Sequence, residues 1–149
     1  MADLDALAEQ WVRLAREQRA HNSHLRAEAN RKVIRESMGH HVLSGNVLVV
    51  REEGLVGFVM FGMQSDRYSR DVTRGVIRNA YVEPARRGEG IGSALFEAAE
   101  NRLAAAGADV VTLEVMADNE SARRLYRRLG YEPHRLELEK PLESDTHTK

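Results

Sequence analysis

Arg87-Gly88-Glu89-Gly90-Ile91-Gly92-Ser93 sets three glycines at alternate positions between an apolar, strand-like run and a helical pattern. Glycine lacks a Cβ, so it accepts positive φ and lets another group come close to the main chain. Such residues leading into a helix leave several N–H groups pointing outward, at the positive end of the helix dipole. That is a receptor for phosphate. Arg86 and Arg87 flank it with positive charge. No lysine follows the glycines where a P-loop needs one. A dinucleotide fingerprint fits no better, because its third glycine would be Leu95 counting from Gly90, or Ser93 counting from Gly88.

Working outward, Gly75 to Val82 reads as a strand ended by Glu83-Pro84. Asn46 to Val50 and Leu55 to Met63 are two more strands, joined by a turn at Arg51 to Gly54 and therefore antiparallel. Gln64 to Arg74 is polar and patternless, and reads as a loop near the site. Downstream of the glycines, Ile91, Ala94, Leu95, Ala98, Ala99 and Ala105 mark a long amphipathic helix that stops at Gly107. Asp109 to Met116 reads as a strand whose Val110, Val111, Leu113 and Val115 suggest burial on both faces. Asn119 caps a short helix with Ala122, Leu125, Tyr126 and Leu129 inward, closed by Gly130. Arg135 to Lys140 is a last strand, and Glu143 to Lys149 a polar tail expected to be disordered.

Before the first strand the pattern is helical. Leu4, Leu7, Ala8, Trp11, Leu14 and Ala15 recur at helical spacing with Asp3 as a cap, and Trp11 is expected as a core anchor. His21-Asn22-Ser23 interrupts the pattern. A second helix is expected from about Leu25 to Met38, stopped by Gly39. The 149 residues suit one domain, 1–149, with a helical part over 1–40. A net charge of -1 gives no general attraction to nucleic acid or acidic membranes. The chain has no cysteine, so a thiol nucleophile is excluded. Leu55 to Met63 is far short of a membrane span. A cytoplasmic location is the expectation, and neither His21 with His24 nor His40 with His41 makes a convincing metal pattern.

The order strand, glycine loop, helix, strand, capped helix over 79–131 resembles the GNAT superfamily of N-acetyltransferases. Ala80-Tyr81-Val82 before Glu83-Pro84 matches its strand end, and Arg87, Gly90 and Gly92 match its Arg/Gln-x-x-Gly-x-Gly/Ala motif. Leu113-Glu114-Val115, Asn119, Ala122, Tyr126 and Gly130-Tyr131 follow its second core motif. The segment from Leu113 to Tyr126 is also weakly similar to ribosomal-protein alanine acetyltransferases. The resemblance implies an α/β (α+β) fold: a mixed, mostly antiparallel twisted sheet with helices on both faces, here with an N-terminal helical pair. Members usually begin with a strand and end with two strands after the last helix. Here only one fits, so a second subunit could supply the missing one by edge pairing, as a homodimer.

The resemblance implies acetyl-CoA as donor and an amine as acceptor, the amine attacking the thioester directly. The cofactor would lie on Ala80, Tyr81, Val82, Arg87, Gly88, Glu89, Gly90, Ile91, Gly92, Ser93, Asn119 and Tyr126. A backbone N–H at Ala80 to Val82, best at Val82, would polarise the carbonyl as an oxyanion donor. Glu114, among apolar strand neighbours, is the candidate base, with burial raising its pKa. Tyr126 is the candidate acid for the leaving thiolate. Three alternatives stand beside this: an acyl-CoA sensor without catalysis, another nucleotide-binding protein, and acceptors ranging from a peptide or protein amine to a polyamine, amino acid or aminoglycoside.

Overall fold

The computed structural model describes residues 2–65 and 68–142. Its sheet has the order β1-β2-β3-β4, with β1 at Val47–Arg51, β2 at Leu55–Met63, β3 at Arg74–Val82 and β4 at Val110–Thr112. The β1–β2 and β2–β3 pairs are antiparallel and β3–β4 is parallel. The sheet is therefore mixed and mostly antiparallel, as the sequence implies. The helices are α1 (Ala2–Arg19), α2 (Arg31–Leu43), α3 (Ile91–Ala105) and α4 (Glu120–Arg128). Among the described residues, no helix is long and apolar enough to cross a membrane.

Both sheet faces are covered, and β2 shows why its whole run is apolar. Alternate side chains of a strand point to opposite faces. Phe58 and Met60 enter a core with Leu7, Trp11, Val12 and Ala15 of α1 and Met38 of α2. Val59 and Phe61 enter a second core with Leu95, Phe96, Ala99 and Leu103 of α3. Each such side chain contributes about 1.5–3 kcal/mol on burial. Trp11 is 6% exposed and anchors α1 as expected.

Three helix boundaries differ from the sequence reading. Asp3 lies inside the first turn of α1, where its charge faces the positive end of the dipole and meets Arg51. A 3-10 turn at Glu28–Asn30 delays the start of α2 to Arg31. Gly39 lies within α2, under Leu4 of α1, and the helix runs on to Leu43 before the chain reverses at Gly45 with φ +77°. Tertiary packing against α1 carries the helix past the weak residue.

The C-terminal third departs further. Only Val110–Thr112 of the expected Asp109 to Met116 strand pairs with β3. Val110 and Val115 are 40% and 36% exposed, so burial on both faces is not found. Arg135 to Lys140 forms no strand, and Leu136 and Leu138 stand 82% and 89% exposed. Both misreadings share one cause: an apolar, strand-like pattern marks a chain able to pair but does not supply the neighbour. The tail at 143–149 lies outside the described residues.

Tyr131 closes the second core. Its ring packs edge-on against Phe96 and Tyr126, and its hydroxyl donates to Glu100 Oε2 at 2.6 Å. Burial, and then the Glu100 bond, push its phenol pKa up. The folded value thus exceeds the unfolded one, near 10. This contribution is complete below the unfolded value and is lost as pH rises through the folded one. Tyr131→Phe should cost about 1–2 kcal/mol in urea unfolding at neutral pH and show a smaller loss of stability at alkaline pH.

Candidate active site

Two parallel strands that stop pairing create the cleft. β3 and β4 are joined only at Arg74–Val76 and Val110–Thr112. Arg78 is an extra residue on β3: Met60 faces Asn79 and Phe61 faces Ile77, so Arg78 has no opposite number. Such a bulge bends its strand. Past it, Ile77 to Val82 lines one wall and Leu113 to Met116 the other, around a cavity of about 610 Å³.

Strand alternation decides which amides face that cavity. Glu83 N–H donates to Val56 O of β2 at 2.8 Å. The N–H groups of Ala80 and Val82 therefore point away from β2, into the cleft. Val82 O points the same way and accepts from Arg87 Nε at 2.8 Å.

The glycine loop closes one end of the cavity. Gly88 and Gly90 have φ +84° and +86°, which a side chain would strain. Gly90 caps α3 without any side-chain bond. Among the described residues, no protein acceptor takes the amides of Gly88 to Ser93. A Cβ at Gly88 or Gly90 would meet nothing within 4 Å, so the space over these amides is open. Unpaired donors at a helix N-terminus, under open space, suit an anionic phosphate group. Glu89 faces its own neighbour instead: Arg86 bonds it at 3.1 Å and Glu52 at 2.9 Å, tying the loop to the β1–β2 turn.

Tyr126 lines the cavity from α4, with its ring 5.5 Å from that of Phe96. Burial pushes its phenol pKa up, so it stays protonated into the alkaline range. Asn119 caps α4 as the sequence implies, its Oδ1 accepting from Ala122 N–H at 3.3 Å, and it also lines the cavity. Glu114 reaches the cavity too, yet it lies beyond the end of β4 and is exposed. The burial expected of it is therefore absent, because the strand reading placed it two residues too deep in the sheet.

The sequence reading missed the wall that α1 supplies. Leu14, Glu17 and Gln18 of α1, and His21 just after it, line the same cavity. His21 Nδ1 lies 3.6 Å from Asp118 Oδ1, and Asn22 donates to Asp118 Oδ2 at 2.7 Å. Asn22 takes φ +76°, so the turn at His21-Asn22-Ser23 aims these side chains across the cleft. The break in helical pattern was the only signal. His24 instead bonds Glu139 at 2.7 Å, far from a shared ligand site.

Comparison with known proteins bears on the family and the fold. The family described as "Acetyltransferase (GNAT) family" matches residues 6–131. The aminoalkylphosphonate N-acetyltransferase of Salmonella typhimurium is 30% identical over 121 residues, 79% of this chain and 78% of that protein. The mycothiol acetyltransferase of Clavibacter michiganensis is 50% identical over 50 residues, 34% of this chain but only 16% of that protein. Among solved structures, a GCN5-related N-acetyltransferase from Ralstonia eutropha superposes with a TM-score of 0.74 at 25% identity, covering 95% of this chain and 93% of that one. An aminoglycoside acetyltransferase from an uncultured soil sample shares the fold, with a TM-score of 0.66 at 22% identity over 95% and 91% of the two chains.

Proposed function

The chain belongs to the GNAT family of acetyltransferases, and from that premise we propose that it moves an acetyl group from acetyl-CoA to a primary amine by direct attack within a ternary complex. One observation carries the reading: the Val82 amide faces the same cleft as the unpaired amides of the glycine loop. When bound, acetyl-CoA supplies a thioester carbonyl open to nucleophilic attack.

The protein's own groups do the rest. The amides of Gly88 to Ser93 hold the diphosphate, and Asn119 lines the path of the pantetheine arm. The N–H of Val82, with Ala80 beside it, stabilises negative charge on the carbonyl oxygen, a role whose loss typically costs about 10²–10³ in rate. Glu114 takes a proton from the acceptor ammonium, directly or through water. Tyr126 O–H gives a proton to the departing sulfur. Holding both reactants in one cleft supplies much of the acceleration. The absence of cysteine leaves no side chain for an acetyl-thiol intermediate.

The named relatives acylate acceptors as different as an aminoalkylphosphonate and an aminoglycoside, which supports an amine without choosing one. A panel of amines, followed by release of the free thiol of coenzyme A, tests the reaction. Saturable release with at least one amine is expected, and none with any would end this reading.

A second reading of the base rests on His21. Its ring lines the cleft, with Nδ1 3.6 Å from Asp118 Oδ1. Rate profiles separate the two. Glu114→Gln should lower kcat about 10- to 100-fold, while His21→Asn should leave it near the wild-type value. The reverse result transfers the role to His21.

A further inference from the structure

The Arg87 guanidinium shows what the α1 wall of the cleft is built to hold. Its Nη2 lies 3.0 and 3.1 Å from the two carboxylate oxygens of Glu17. The same group stands 5.1 Å from the centre of the Tyr81 ring. A carboxylate and an aromatic face around one point form a cation site, and here the chain's own cation fills it. We propose that Glu17 and Tyr81 read a second positive charge on the acceptor, and that Arg87 masks this site until the donor binds. The inference rests on the acetyl-transfer reading above and narrows its acceptor class to amines with a second cationic centre.

Three considerations lead there. Arg87 belongs to the loop whose amides face the diphosphate position, so a diphosphate would compete for its guanidinium as a doubly anionic partner. The existing ion pair contributes little, because its side chains are 44% and 41% exposed, so the 2.8 Å bond from Arg87 Nε to Val82 O is the firmer hold a diphosphate has to replace. Once Arg87 turns away, Glu17 has no other ion-pair partner among the described residues.

The other carboxylates of the cleft point the same way, although Arg128 of α4 also lines it. Glu17 and Glu114 line the cleft, with Asp118 beside His21 at its rim. Arg86 is taken by Glu52 and Glu89, and Arg78 lays its guanidinium beside Gly62 on β2. The reacting nitrogen itself is a poor partner for Glu17, since a paired carboxylate would keep it protonated and unreactive. A second ammonium or guanidinium a few bonds away suits the site.

Glu17→Gln tests this with two readouts that move in opposite directions. Coenzyme A should bind the variant about 2- to 5-fold more tightly by calorimetry, because the loop arginine no longer has to leave a carboxylate. The preference for 1,4-diaminobutane over butylamine, as a ratio of kcat/KM, should be about 5- to 20-fold in the wild type and near one in Glu17→Gln. Glu17→Asp, which keeps the charge, should retain most of the preference. A peptide with N-terminal lysine against one with norleucine distinguishes a peptide acceptor from a small diamine.

General damage to the fold would weaken both readouts together and would overturn the proposal. So would unchanged coenzyme A affinity in Glu17→Gln, or a diamine preference that is absent in the wild type or survives in the variant. Wild-type protein that binds no coenzyme A would overturn the acetyl-transfer reading as well, whereas normal binding with an indifferent Glu17→Gln sinks the masking alone.

Discussion

Gly90→Val should raise the dissociation constant for coenzyme A about 10- to 100-fold. Gly90 takes φ +86° at the mouth of α3, and a β-branched residue there is strained by about 1–3 kcal/mol. Nothing lies within 4 Å of the added Cβ, so the strain is in the backbone and not in a clash. The loop relieves it by rotating towards negative φ, which swings the neighbouring amides out of alignment. Gly107→Val is the control. Gly107 also holds positive φ, +105°, but follows the far end of α3. Both variants should lose melting temperature, and only Gly90→Val should lose coenzyme A in calorimetry. Equal affinity in the two would mean that the loop amides do not hold the diphosphate.

Tyr126→Phe should lower kcat about 10- to 100-fold with little change in coenzyme A affinity. Among the described residues, no protein group shares a hydrogen bond with its hydroxyl, so removing it leaves no partner orphaned and stability should hold. The phenyl ring keeps its packing against Phe96 and Tyr131. A thiol leaving group, with pKa near 8.5, departs unaided more readily than an alkoxide, which keeps the expected loss moderate. Burial raises the Tyr126 pKa, so the wild-type rate should not fall through loss of this proton until above the ordinary phenol range, near 10. Single-turnover measurements across that range would check it. A variant as fast as wild type with every amine would remove the acid role.

Local chemistry was legible where one residue decides the conformation. The glycines of the loop, the Asn119 cap and the β1–β2 hairpin could be read because φ, a side-chain acceptor and a short turn act within a few residues. What could not be read depends on distant neighbours. Val110 to Val115 and Arg135 to Lys140 read like strands, but whether an adjacent strand receives them is decided elsewhere in the chain. Glu114 was misplaced in burial for that reason.

The α1 wall was hidden in another way. Glu17 and Gln18 look like ordinary solvent-facing residues of an amphipathic helix, and only the packing of α1 beside β3 brings them to the cleft. The Glu17–Arg87 pair spans 70 residues, and nothing in local pattern announces it. The resemblance to a known family helped with the glycine loop and the strand end that line the cleft. It helped least with the wall that α1 and the turn after it supply.

Backbone amides holding a diphosphate and aiming a thioester at Val82 are best tested by amide resonances of uniformly ¹⁵N-labelled protein titrated with coenzyme A. Large saturable shifts should appear at Gly88, Gly90, Ile91 and Gly92, with Val82 responding further to acetyl-CoA. Shifts confined to other surfaces, with those five amides unmoved at saturation, would contradict it.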